Sequence, residues 1–357
     1  MKKNILWTVA ASCVVAIGAT LHVAAAPALE TVKIGICTPA LTKGVAPFAV
    51  AEKMGYLAAE GYRVDLVAAG TATDCAKYVA TRQFPYAQFS IEPIVTMRQQ
   101  GVKMTTFYTH NQGNVYGIAV PEDSPIKSIS DLKGKKVGVT SLSSVGVFVA
   151  RALLQQAGLQ PTDFTPVVVG QGAQTAELLR SKQVDALSAY DTQFALVRNA
   201  GVPMRELPVP DEFSGMPTTG FVALESVLQA NPKTAEAIGR AWAMGTVFAM
   251  ANPAAAVRMT WEQYPQTKPS GKSDEQALAD DLSVLKARLE NLKLEKSHVT
   301  RWGENNPASY KRYLDFITKW NIVKPGVDAS EVFTNAYVAG FNTFDVAKVE
   351  AQAKAYR

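Results

Sequence analysis

Short runs rich in β-branched and aromatic residues alternate with helical patterns between residues 32 and 200. Strands that alternate with helices of about ten residues form parallel sheets with helices on both faces. The pattern therefore predicts an α/β fold. The predicted strands are 32–37, 62–68, 86–89, 102–109, 135–140, 165–169 and 184–190. The predicted helices are 47–57, one from the turn at 70–74 to residue 82, 91–100, 144–157, 171–182 and 192–200.

The pattern changes after residue 200. Residues 207–216 are rich in proline and read as a loop, and residues 218–224 predict one more strand. The remainder is mostly helical. Pro232 and Pro253 each fit the first position of a helix, where proline is favoured, and residues 273–291 predict a long charged helix with an apolar stripe.

The first 28 residues have the composition of a secretory signal peptide. Lys2 and Lys3 precede an uncharged, mostly apolar run over residues 5–26, and small residues follow at Ala25 and Ala28. A basic start, an apolar stretch and a small-residue exit are the three parts of such a signal. A retained membrane anchor is the alternative, because the run approaches the length that spans a bilayer. We expect cleavage after Ala25 or Ala28 and export to the periplasm.

Charge and composition exclude several kinds of site. The formal net charge of +5 falls to +3 without Lys2 and Lys3, which is too small to indicate nucleic-acid binding. His110 and His298 are far apart and show no metal-ligand spacing, so we expect no metal site. Ser143 has no Gly-x-Ser-x-Gly motif around it, and no dinucleotide or phosphate-loop motif occurs. We therefore expect a protein without cofactor and without catalytic residues.

Two cysteines remain after the predicted cleavage, Cys37 and Cys75. Cys37 ends the first predicted strand, and Cys75 lies at the start of the helix after the second. An oxidising compartment permits a disulfide between them if the two strands are neighbours. Two small buried thiols are the alternative.

Hydroxyl-bearing residues are concentrated in the loops that follow the predicted strands. In open α/β sheets, ligands bind beyond the carboxyl ends of the strands, where helix N-termini also offer free N–H groups. Ordinary helix capping by Ser and Thr is the alternative interpretation for each of these residues. The candidate ligand-binding residues in these loops are Thr38, Gly70, Thr71, Thr73, Ser90, Ser143 and Ser144.

Two acidic residues and one tyrosine complete the candidate site: Glu92, Asp191 and Tyr190. The acids could accept a hydrogen bond from an amine or amide of a ligand, or could only cap their helices. Tyr190 could stack on a ring. The hydroxyls favour a small organic anion such as a sulfonate, a carboxylate or an aromatic acid. The acids favour a nitrogen heterocycle or an amine, such as a pyrimidine precursor of thiamine.

Residues 123–139, DSPIKSISDLKGKKVGV, resemble a segment of the periplasmic solute-binding proteins of the sulfonate, nitrate and thiamine-precursor type (SsuA and NMT1/THI5-like). The first predicted strand, the sequence Gly55-Tyr56-Leu57 and the sequence at 183–186, QVDA, agree with the same family. The resemblance covers nearly the whole chain after the signal. Two positions depart from it: residues 85–88, PYAQ, replace a segment that usually carries an Asp, and Glu92 replaces a small or polar residue.

The resemblance implies a two-lobed periplasmic-binding-protein fold of type II, with a mostly parallel sheet and flanking helices in each lobe. Lobe one would contain residues 30–115 plus 215–357, and lobe two residues 120–210. The chain would cross between them near 113–120 and 208–220. By position, family ligand contacts fall on Thr38, the 70–73 turn, Ser90, Ser143 and Ser144, and near Tyr190.

The resemblance implies a monomer that captures a small organic solute by hinge closure and delivers it to the membrane subunits of an ABC importer. An enzyme related to the fungal pyrimidine-forming proteins is the alternative from another class. Those proteins use a cysteine-rich motif that Cys37 and Cys75 cannot form. A role as the input protein of a sensor also stays open.

Overall fold

The computed structural model describes residues 28–210, residue 213 and residues 215–357. Residues 1–27, which hold nearly all of the predicted signal peptide, lie outside this range. Within it, no helix has the length and apolar character needed to cross a membrane.

The strands and helices follow the predicted order closely. The strands are β1 (Glu30–Ile36), β2 (Tyr62–Ala68), β3 (Tyr86–Ser90), β4 (Met104–Asn111), β5 (Tyr116–Pro121), β6 (Lys136–Val139), β7 (Thr165–Val168), β8 (Ala186–Tyr190), β9 (Met204–Glu206) and β10 (Thr219–Leu224). The helices between strands are α1 (Ala46–Lys53), α2 (Ala72–Ala80), α3 (Ile91–Gln99), α4 (Val145–Gln156), α5 (Ala173–Arg180) and α6 (Asp191–Asn199). The C-terminal helices are α7 (Glu225–Ala230), α8 (Pro232–Ala251), α9 (Pro253–Gln263), α10 (Asp274–Asn291), α11 (Pro307–Lys319), α12 (Val338–Phe341) and α13 (Val346–Ala355).

The strands form two five-stranded sheets. Sheet one has the order β2-β1-β3-β10-β4, and sheet two has the order β7-β6-β8-β5-β9. In sheet one only β10 runs against its neighbours, and in sheet two only β5 does. Each sheet is therefore mostly parallel, which confirms the predicted α/β fold class.

The two reversed strands follow the places where the chain changes sheets. The chain leaves sheet one after Asn111 and enters sheet two at Tyr116, and it returns between Glu206 and Thr219. The two passages lie side by side, because the Thr218 N–H donates to the Asn111 carbonyl at 3.4 Å. The lobe boundaries and the crossings that the resemblance implies stay predictions.

The short strand β9 and the end of α1 differ from the predicted elements. β9 has only three residues, too few to show an alternating pattern, and it forms through its pairing with β5. The predicted helix 47–57 stops at Lys53. Gly55 takes the left-handed φ of +73° that ends the helix, a conformation that glycine adopts at little cost.

The C-terminal helices build most of the core around sheet one. The indole of Trp242 on α8 packs edge-on against Phe48 of α1 at 4.8 Å and against Phe221 of β10 at 5.0 Å. All three side chains are fully buried. Such aromatic packing fixes α8 against the centre of sheet one. Helix α10 contacts α9 on this side and α6 on the other, so it touches the layers of both sheets.

Glu92, which the sequence analysis placed among the candidate ligand contacts, is buried in the first turn of α3. The Tyr313 hydroxyl of α11 donates to its Oε1 atom, and the residue is 3% exposed. Burial raises the pKa of the Glu92 carboxyl, while the Tyr313 and Ser90 hydroxyls act in the opposite direction. Tyr313 thus gives the Glu92 carboxyl a hydrogen-bond partner inside the core.

The structure joins Cys37 and Cys75 by a disulfide, with a Cα–Cα distance of 6.0 Å. β1 and β2 are neighbouring parallel strands, so the loop after β1 lies beside the start of α2. The bridge ties these two segments together at the carboxyl edge of sheet one.

We predict that the double substitution Cys37→Ser, Cys75→Ser lowers the free energy of unfolding by about 3 to 4 kcal/mol, because the bridge closes a loop of 38 residues in the unfolded chain. Urea unfolding with and without a reductant measures the effect. Reductant should lower the wild-type midpoint and leave that of the double variant unchanged. A wild-type midpoint that reductant does not move would contradict the bridge.

We predict that Glu92→Gln becomes more stable relative to wild type as pH rises. A carboxyl whose folded pKa lies above its usual 4.5 contributes stability below that pH, and the contribution is lost as pH rises through the folded pKa. The amide carries no such cost, so the difference in the free energy of unfolding should grow steadily in favour of the variant between pH 4.5 and 7.5. Urea unfolding across this range measures it, with the exposed Glu122→Gln as the control. A pH-independent difference would show that Glu92 is not held in a desolvated site.

Candidate functional site

Two adjacent cavities lie between the carboxyl edges of the two sheets, with about 590 Å³ and about 570 Å³ of empty space. They share part of their walls, so we treat them as one space and call it the cleft. The loops after β1 and β3 line it from sheet one, and β5 and β8 from sheet two. The shared wall residues are Cys37, Ala72, Tyr116 and Tyr190.

Two tyrosines form an aromatic wall of the cleft. Tyr116 opens β5 and Tyr190 ends β8, and the two residues are paired in the antiparallel register of these strands. Their rings lie edge to face, 6.3 Å apart at 89°, and both residues are half-buried. Burial raises the pKa of Tyr190 to about 12 and raises that of Tyr116 further, so both phenols are neutral. A planar ligand could pack against this wall.

Arg288 of α10 brings a positive charge to the cleft. Its Nη2 atom donates to Asp191 Oδ1 at 2.7 Å, and both side chains are 10% exposed. Its Nε atom is buried and has no hydrogen-bond partner among the described residues. The neighbouring His110 does not add charge, because burial and then Arg288 lower its pKa to about 3. Arg288 thus presents a free donor to the cavity that it lines.

Asp191 is held by donors from two directions. Besides Arg288, the Asn291 amide of α10 donates to Oδ2 at 3.0 Å, and the Thr192 N–H donates to Oδ1 at 2.7 Å. Burial raises the pKa of Asp191, and these donors oppose the effect. With three donors on its two oxygens, one of them a guanidinium, we hold that the carboxylate stays ionised near neutral pH. Asp191 therefore connects the start of α6 to α10.

Three more cleft residues have buried polar atoms without a partner in the described part of the chain. Thr192 Oγ1 is one; that residue is fully buried at the start of α6. Gln88 Oε1 and Ser90 Oγ, both on β3, are the other two. A buried polar atom without a partner costs about 1 to 3 kcal/mol, so such atoms at one cavity point to a ligand or water that bonds to them.

Six of the sequence-predicted residues line the cleft: Thr38, Gly70, Thr71, Ser90, Ser144 and Tyr190. Three of their hydroxyls already donate to protein groups. Thr71 forms a capping box with Asp74, accepting from its N–H and donating to its carboxylate. The Thr38 hydroxyl donates to the Ala40 carbonyl at 2.7 Å, and the Ser144 hydroxyl donates to the Ser141 carbonyl at 2.7 Å. For these three residues the capping or turn role is therefore present in the structure.

The other four predicted residues do not line the cleft. Thr73 lies within the first turn of α2, and Ser143 is exposed, with its hydroxyl 3.3 Å from that of Ser141. Glu92 is directed to Tyr313 and Asp191 to Arg288. A position at the end of a strand or the start of a helix does not decide which way the side chain points.

The sequence analysis did not name Arg288, Gln88, Tyr116 or Thr192 as candidate cleft residues. Arg288 had a usable signal. It falls at helical spacing on the buried stripe of α10, with Val284 and Leu285 one turn before it. A charged residue on an apolar stripe indicates a buried partner. Tyr116 had no such signal, because the segment read only as a crossing.

Comparisons with known proteins agree with this geometry. The sequence model of the family described as NMT1/THI5 like matches residues 42–256, more than half of the chain. The riboflavin-binding protein RibY of Chloroflexus aurantiacus is 25% identical over 301 residues, which cover 83% of this chain and 82% of RibY.

Two solved structures share the fold at low identity. One is the alkanesulfonate-binding protein SsuA of Xanthomonas axonopodis pv. citri, bound to MOPS: TM-score 0.62, 15% identity, 87% of this chain and 99% of SsuA covered. The other is the periplasmic nitrate-binding protein NrtA of Synechocystis PCC 6803: TM-score 0.60, 14% identity, 93% of this chain and all of NrtA covered. The chain belongs to the NMT1/THI5-like family and has the fold of the periplasmic solute-binding proteins of ABC importers.

Proposed function

We propose that this protein is the exported solute-binding component of an ABC importer, and that it captures a small organic solute in the cleft without altering it. The observation that carries the proposal is the set of unpartnered polar atoms of Arg288, Gln88 and Thr192 at one cavity between two sheets. Two of these residues come from the side of sheet one and the third from the side of sheet two. A solute bound between the sheets could form hydrogen bonds with these atoms on both sides of the cleft at once.

The proposed mechanism is hinge closure. Asn111 and Thr218, at one end of each passage, are joined by a backbone hydrogen bond, so small backbone rotations near them would separate the two carboxyl edges. The solute binds one lobe and the other closes over it. Closure excludes water, which strengthens each hydrogen bond to the solute. The closed surfaces around the cleft would then dock on the membrane subunits of the importer.

The cleft favours a planar organic solute. Tyr116 and Tyr190 offer an apolar wall, and Arg288 Nε offers a hydrogen-bond donor. An aromatic acid and a nitrogen heterocycle both fit this pattern. The sulfonate- and nitrate-binding neighbours support the first, and the riboflavin-binding relative supports the second. An amine fits less well, since Glu92 and Asp191 are engaged with protein groups.

The proposal includes a periplasmic location, a monomeric state, no cofactor and no catalysis. The apolar start of the chain supports export. The known binding proteins among the relatives support a role in binding rather than in turnover.

Native mass spectrometry of the purified mature protein tests the proposal. We expect one small organic molecule per chain, released unchanged on unfolding and bound again with the same mass after prolonged incubation. Tyr190→Ala should weaken rebinding at least about tenfold, the effect of about 1.4 kcal/mol of lost ring contact. Tyr337→Ala, a half-buried tyrosine away from the cleft, is the matched control.

A chemically converted molecule would contradict the binding role. Equal rebinding by Tyr190→Ala and Tyr337→Ala would contradict the cleft as the site. Binding of the released molecule is measured by calorimetry on the refolded protein, so the stoichiometry is obtained independently.

A further inference from the structure

The charge of Arg288 is already balanced inside the cleft. The Asp191 carboxylate lies 2.7 Å from its Nη2 atom, and both groups are nearly buried. Among the residues lining the two cavities, all of which are described, Arg288 is the one charged side chain. The walls of the closed cleft together with Asp191 therefore carry no net charge.

The helix N-termini at the cleft do not supply much uncompensated positive charge either. The first turn of α2 contains Asp74, that of α3 contains Glu92 and that of α6 contains Asp191. An acidic residue in the first turn interacts with the positive end of the helix dipole that would otherwise attract a ligand anion. The first turns of α1 and α4 contain no acid, and their N–H groups suit a neutral acceptor as well as an anion.

An anionic solute enclosed here would add an unbalanced charge to a desolvated site. A buried charge without its own counter-charge is costly, and the nearest cation is already paired. A carbonyl oxygen has no such cost and can accept from the free Nε–H of Arg288. From this balance, and resting on the proposed function, we propose that the cleft selects a solute whose buried end is uncharged: a planar ring with an amide or imide edge.

The remaining free atoms fit such an edge. A lactam or imide presents a carbonyl acceptor next to an N–H donor. Arg288 Nε can donate to the carbonyl, while the Gln88 amide oxygen or the Thr192 hydroxyl can accept from the N–H. Gly44 lines the same cavity and lies close beside the guanidinium, since a Cβ there would be 4.0 Å from Nε. A carboxylate or sulfonate has no proton for the Gln88 amide oxygen, which can only accept.

Asp191 is then the residue that sets the preference between neutral and anionic solutes. Asp191→Asn keeps the size of the side chain and an acceptor oxygen for Arg288 and for the Thr192 N–H, but removes the negative charge. The guanidinium would become an unbalanced cation facing the cleft. The variant should therefore gain affinity for anions relative to uncharged solutes.

The test measures dissociation constants by calorimetry at pH 7.5 for 2-naphthamide and 2-naphthoate, which have nearly the same shape and differ in charge, and for riboflavin as a second uncharged probe. Wild-type protein, freed of carried-over solute, should bind 2-naphthamide at least tenfold more tightly than 2-naphthoate. Asp191→Asn should shift this ratio at least tenfold toward the acid. Asn291→Ala, which removes a neutral hydrogen bond to the same carboxylate, is the control and should leave the ratio unchanged.

Tighter wild-type binding of 2-naphthoate, or no binding of either uncharged probe, would overturn the inference, and the wild-type comparison decides this even if Asp191→Asn does not fold. An equal shift in Asn291→Ala would overturn the role of the Asp191 charge. A carried-over solute with an enclosed carboxylate or sulfonate would overturn the inference while leaving the proposed function in place. A protein that binds no solute at all would contradict both the inference and the proposed function.

Discussion

The buried ion pair between Asp191 and Arg288 joins the two halves of the molecule at the cleft. Asp191 begins the helix that follows β8 of sheet two, and Arg288 lies on a helix packed on the other side against the core around sheet one. Removing one partner of such a pair costs about 3 to 5 kcal/mol, because the other charge is left buried and unpaired. The pair thus constrains how the two sheets pack at the cleft. It also sets the net charge that surrounds a bound solute.

The topology explains why residues from both sheets meet at the cleft. Each sheet has a single reversed strand, and it is the strand by which the chain enters that sheet after crossing. The reversed strands β5 and β10 therefore begin where the parallel strands end. Tyr116 and Thr219, the first residues of these strands, line the cleft together with the loops after the parallel strands.

Much of this arrangement could be predicted from the sequence, because it depends on local patterns. The strand at 62–68 and the helix over 192–200 follow from β-branched runs and apolar spacing, and the structure has them within a residue or two. The prediction of a disulfide between Cys37 and Cys75 needed only the assumption that β1 and β2 are neighbours. The family followed chiefly from one specific run of residues, 123–139, which does not line the cleft.

The details of the site depended on contacts between distant parts of the chain. Glu92 and Asp191 stand at the expected strand ends, yet Tyr313 and Arg288, at least 97 positions away, determine where their carboxyls point. Thr71 had the sequence of a capping residue, and that role engages its hydroxyl even though the residue lines the cleft. A single sequence shows which residues reach the edge of a sheet, but not which of them are already paired there.

The central claim is that the two lobes close around a bound solute. Small-angle X-ray scattering on the mature protein, before and after saturation with the solute that native mass spectrometry identifies, tests it most directly. The account predicts a smaller radius of gyration in the saturated sample, as the carboxyl edges of the two sheets approach. An unchanged scattering profile at full saturation would contradict it.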